Sequence, residues 1–187
     1  MRATFPGEVA WYVTGRFYVD GAGAMFDAGY FLHLQGLVGP LFDGARSEGT
    51  AHFTFVSEPF HAKSVGNADL SIGIDDAGDF SLYLHRVPGA SFDDPQSFAA
   101  GERIATFRRV SVVAGLTVPN VVIANVFSAA LIWSTEFEYG GERQNLSELV
   151  PNGITQWGTA GTTPVTPPPQ PYTTVLPFVG SAVAIGR

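Results

Sequence analysis

Between residues 8 and 20 the chain alternates without a break. Val9, Trp11, Val13, Gly15, Phe17 and Val19 fall on one face, with Glu8, Tyr12, Thr14, Arg16 and Tyr18 on the other. Successive strand side chains point to opposite faces, so a period of two over this length specifies a strand with one buried face. The pattern recurs along the sequence. Residues 28–38 set Tyr30, Leu32 and Leu34 against Phe31, His33 and Gln35. Residues 50–57 set Ala51, Phe53 and Phe55 against Thr50, His52, Thr54 and Val56. Residues 69–75 put Leu70, Ile72 and Ile74 on one face, and residues 80–87 set Phe80, Leu82 and Leu84 against Ser81, Tyr83 and His85. Asp20-Gly21-Ala22-Gly23, Gly39-Pro40, Asp43-Gly44 and Asp75-Asp76-Ala77-Gly78 separate these runs with turn chemistry. No window holds a sustained helical period. The sequence therefore predicts an all-β fold, an antiparallel β-barrel of about eight to ten strands.

The remaining segments fit this scheme. Residues 103–114 read as a strand. Residues 118–139 exceed an ordinary strand, which predicts a strand pair or one strand bent near Asn125 or Ser128. Residues 88–101, with Phe92, Phe98 and Asp93-Asp94-Pro95, read as a rim loop or a turn of helix, and residues 145–150 as one helical turn. Residues 158–173 hold Pro164, Pro167, Pro168, Pro169 and Pro171. That tract is expected to be extended, either a surface strap that delivers a closing strand at 175–185 or a peptide-recognition segment. One domain spanning residues 1–187 is expected for this length.

Composition narrows the function classes. There is no Cys, hence no disulfide, no thiolate nucleophile and no Cys-ligated zinc. With no apolar leader visible at the N-terminus, a cytoplasmic location is expected. The longest apolar stretch, 118–133, is broken by Pro119, Asn120, Asn125 and Ser128, so no membrane helix is expected. Net charge is −7, and Lys63 is the single lysine. Beyond Arg108-Arg109 there is no basic cluster, which argues against nucleic acid and against anionic membranes. Charged residues make up 14% of the chain, against roughly 25–35% on a well-solvated surface. A homodimer is the simplest way to cover the difference, and a small apolar or aromatic molecule is the other expected partner.

Candidate site residues come from the polar faces of these strands. Tyr83 and His85 share a face at i, i+2, next to the loop bearing Phe92 and Phe98. An imidazole and a phenol between aromatic walls suffice for proton transfer on an apolar ligand. His85, Tyr83 and Glu136 are accordingly the candidate catalytic residues, with His33, His52, Phe92, Phe98 and Arg109 as ligand-binding candidates. Each has a structural alternative. Glu136 and Glu138 suit a solvated strand edge, and the two arginines, on opposite faces, suit ion pairs with neighbouring strands. His33, His52 and His85 lack the spacing of a metal site, and no cofactor motif is present, so neither a metal nor a cofactor is expected.

Gly7-Glu8-Val9-Ala10-Trp11-Tyr12 resembles the Gly-x-Trp opening of lipocalin-type barrels, with three residues between Gly7 and Trp11 where that motif has one. The succession of alternating strands and Gly-rich turns is also similar to the allene oxide cyclase-type barrel, although no position here takes the place of that family's carboxylate motif. The resemblance is to the calycin-like architecture and carries over no functional residue. It implies a barrel that binds a small molecule, as a cyclase or isomerase or as a non-catalytic carrier. A third class, a structural or oligomeric assembly module, is separated from both by one observation: an interior filled with large side chains.

Overall fold

The strands close on themselves in chain order. A computed structural model describes residues 4–61, 63–67, 70–75, 78–117 and 123–185. Its strands are β1 (Val9–Val19), β2 (Met25–Leu34), β3 (Phe53–Ser57), β4 (Lys63–Asn67), β5 (Leu70–Asp75) and β6 (Asp79–Leu84). They continue with β7 (Glu102–Thr117), β8 (Ile123–Ser134), β9 (Phe137–Tyr139), β10 (Glu142–Gln144), β11 (Ile154–Ala160) and β12 (Thr174–Ala184). The barrel is an antiparallel meander, β1-β2-β3-β6-β7-β8-β11-β12, whose last strand returns to pair with its first. This is the eight-stranded closed barrel expected from the alternation and, coarsely, the architecture of the calycin resemblance. Among the described residues, helix is confined to short turns at Glu48–Thr50, Pro95–Ala99 and α1 (Leu146–Leu149).

Two insertions decorate the meander. The β4–β5 hairpin enters between β3 and β6 and pairs with the far half of β7, from Leu70↔Thr117 to Asp75↔Val112. β6 pairs only with the near half of β7, from Asp79↔Arg108 to Leu84↔Glu102. The sheet therefore runs on past β6 as an arm. The β9–β10 hairpin and α1 enter between β8 and β11 and cap the other end, where Phe137, Leu146, Leu149 and Val150 join the core.

The lumen is filled by the faces the alternation marked as apolar. Trp11 is 1% exposed, and its ring meets Phe31 and Phe107 edge-on at 5.6 and 5.5 Å. Phe80 stacks on Phe107 at 5.1 Å. Gly15 pairs with Gly29, and a Cβ at either would strike a backbone oxygen and the ring of Phe178 or Phe55. These glycines leave room for the lumen rings.

Several sequence expectations change in the structure. The two faces of β2 exchange at Leu32, because Tyr12 pairs with His33 but Val13 pairs with Phe31. The extra residue lets both Phe31 and Leu34 point inward. Gly158, placed with the proline tract, ends up in β11, a strand absent from the sequence reading together with β4 and β10. Residues 118–122 lie outside the described residues. Beyond them the chain runs as β8, with a register shift opposite Ser128 and Ala129 where Val110 is the extra residue on β7. Residues 161–173 hold no strand and cross the outside of the barrel, where Val165 and Tyr172 cover Tyr18, Phe26 and Val175. This layer, with Ala90 and Phe98 from the 86–101 loop, buries outward-facing residues of β1 and β2.

Trp11→Ala is expected to cost about 3–5 kcal/mol by chemical denaturation, the range for a large aromatic removed from a packed core. Unaltered stability would place Trp11 outside the core.

Candidate functional site

The polar groups of the lumen gather around Arg109. β7 carries two consecutive arginines, and alternation sends them to opposite sides. Arg108 points outward and forms a two-point ion pair with Asp79, Nε to Oδ1 and Nη2 to Oδ2, both at 2.9 Å. That contact draws the Asp79 carboxyl below its ordinary pKa. Arg109 points inward and is 6% exposed. Its Nη2 donates to Asp27 Oδ1 at 2.9 Å, and its guanidinium faces the rings of Phe60, Phe80 and Phe127 at 5.1–5.6 Å. Across the lumen, Trp11 Nε1 donates to Gln156 Oε1 at 3.1 Å. These groups, with Val13, Phe31 and Phe55, line a cavity of about 10 Å³. That is space for about one water.

The histidine, tyrosine and glutamate candidates lie elsewhere and apart. His85 follows β6 on the outside of the barrel, buried beneath the 86–101 loop. Its Nε2 lies 3.0 Å from Thr54 Oγ1 and 3.2 Å from the Phe98 carbonyl. Thr54 donates its own proton to that carbonyl at 2.5 Å, so Nε2–H must be the shared donor of this triangle. Burial holds the His85 pKa below its usual value. Tyr83 is half-buried on the same outer face, and neither residue lines the cavity beside Arg109. His52 Nδ1 donates to the His85 carbonyl at 2.8 Å, and its ring lies near Tyr139. His33 contacts Gln35 at 3.2 Å and the ring of Tyr12. Phe92 stacks with Phe98 and lies under the Arg16 guanidinium at 4.3 Å, and Phe98 is fully buried. Glu136 is exposed and paired with Arg143 at 3.3 Å. The structure thus brings His85, Phe92 and Phe98 together in the packing of one loop, with His52 bonded to the His85 carbonyl and Tyr83 on the same outer face, and leaves His33, Glu136 and Arg109 in separate places. Among the described residues, no three His, Asp or Glu are grouped to hold a metal ion.

Sequence reasoning missed Asp27 and Gln156. Asp27 was detectable as a lone carboxylate inside the apolar run Met25-Phe26-Asp27-Ala28. Gln156 lies in a strand the sequence did not reveal. Neither the family models, nor curated proteins, nor solved structures gave a match to this chain.

Asp27→Ala leaves a buried guanidinium uncompensated and should cost about 3–5 kcal/mol, whereas Asp27→Leu combined with Arg109→Met should restore most of it in chemical denaturation. Because folding lowers the His85 pKa, the unfolded chain binds more protons as the pH falls through the unfolded value of about 6.5. The contribution of His85 to stability is complete above that value and declines below it. Between about pH 7.5 and 5.5 the wild type should lose more stability than His85→Asn, by parallel thermal melts.

Proposed function

We propose that this barrel is a non-catalytic assembly module that associates with a second copy of itself, most simply as a homodimer. The supporting observation is the filled lumen. Ligand-enclosing sites run to roughly 300–1,000 Å³, and the space around Arg109 is about 10 Å³. The inward faces that a carrier or cyclase would hollow out hold Trp11, Phe31, Phe55, Phe80, Phe107 and Phe127 in mutual contact. A carboxylate ligand at Arg109 would have to displace Asp27 and the surrounding rings. The outside of the barrel supports the same reading. Tyr12, Val126, Trp157 and Val179 are each 44–54% exposed, a large apolar share for a surface that works alone.

Sedimentation equilibrium of the full chain should give a concentration-dependent monomer–dimer transition by tens of micromolar. A panel of small apolar and aromatic molecules should leave the melting temperature unmoved, where a specific ligand at about a hundredfold its Kd would add about 2.7 kcal/mol. A monomer at every concentration, stabilised by one of these molecules, would refute the proposal.

A further inference from the structure

The exposed apolar residues are not scattered. Strand register arranges them in two rows across the barrel's outer wall. Tyr12 stands opposite Ser181, Ser181 opposite Trp157, and Trp157 opposite Val126. One row along, Thr14 stands opposite Val179, Val179 opposite Thr159, and Thr159 opposite Ala124. Neither row contains a charged residue on any of the four strands. Polar groups beside them are satisfied within the wall: Thr14 Oγ1 donates to the Phe178 carbonyl at 2.9 Å, and the Ser128 and Thr155 hydroxyls pair at 2.9 Å. Covering these hydroxyl contacts strands no donor or acceptor. The next charged side chain along β1 is Arg16, which lies over Phe92.

We infer that this uncharged wall, from β1 across β12 and β11 to β8, is the face through which two copies meet; the inference rests on the assembly reading above. Charge selects a second copy as the occupant. Each copy carries a net charge of −7, so two copies repel except where both present neutral surface, and an uncharged face is complementary to itself across a two-fold axis. The same net charge disfavours an anionic bilayer as the occupant.

The test uses sedimentation velocity on the full chain, with circular dichroism to confirm folding. Trp157→Glu and Val179→Glu should each raise the dimer Kd at least about tenfold. Val87→Glu, at a residue 85% exposed but off the wall, should leave Kd unchanged. Mixing Trp157→Glu with Trp157→Lys protein should recover association, because a two-fold contact brings wall to wall. Wild-type dimer that tolerates both wall substitutions would overturn this inference and leave the assembly reading intact. Absence of any wild-type dimer would overturn the assembly reading itself. A wild-type chain that floats with phosphatidylcholine vesicles as a monomer would make lipid the occupant and overturn the second copy.

Discussion

Everything else in this molecule depends on the ladder between its first and last barrel strands. β1 and β12 pair from Val19↔Thr174 to Val9↔Val183, and that contact turns a meander into a ring. Closure removes the open edges of the eight barrel strands, and β4 of the arm is the sheet's outer strand. Closure also divides every strand into an inner and an outer face, which must meet different demands. The inner face encloses a fixed volume and is stable only if side chains fill it. Here the filling is aromatic, and glycine pairs such as Gly15 and Gly29 let the rings approach the backbone. A lumen packed in this way leaves room for about one water beside Arg109.

The outer face is treated unequally around the ring. Over β1, β2 and β3 it is roofed by the 86–101 loop and by residues 161–173, which bury Tyr18, Phe26 and Phe98. Tyr18 shows the consequence. It projects from the polar side of β1, yet it is fully buried, donates to the Phe92 carbonyl at 3.0 Å, and has its pKa pushed up by desolvation. Over β11, β8 and residues 179–183 of β12 the described residues form no such roof, and there the outward positions are Trp, Val, Ser, Thr and Ala. One side of the barrel is covered by its own chain, and the other is left apolar without that cover.

The sequence made the inner faces legible because alternation is a local property. Trp11, Val13, Phe53, Phe55, Phe80, Leu82 and Leu84 all face the core as their period required. It failed where a single extra residue shifted the phase, as at Leu32 in β2. It failed again in β11, whose inward side is Ile154, Gln156, Gly158 and Ala160, too small and polar to register as a strand. The candidate site was less legible for a different reason. Tyr83 and His85 do share a face, as the spacing implied, but alternation cannot say whether that face is lumen, solvent or the underside of a loop. His85 belongs to the third kind, satisfied by Thr54 and the Phe98 carbonyl. The arginine pair was readable as two opposite environments, while the partner of Arg109 was not, because Asp27 lies 82 residues away in sequence.

The buried charge of Arg109 separates the two meanings a polar lumen can have. A guanidinium awaiting an anionic ligand keeps its donor fork open toward a cavity of ligand size, since bidentate recognition needs two parallel bonds. Arg109 instead spends Nη2 on an internal carboxylate and lies among three aromatic rings beside a space for about one water. Asp27 is likewise fixed from behind, its backbone N–H donating to Ser57 Oγ at 2.8 Å on the neighbouring strand β3. The pair therefore ties β2 to β7 across the inside of the ring, at the end where the arm leaves the barrel. Its geometry is that of a cross-brace. A brace at that point lies where the partner of β7 changes from β6 to β5.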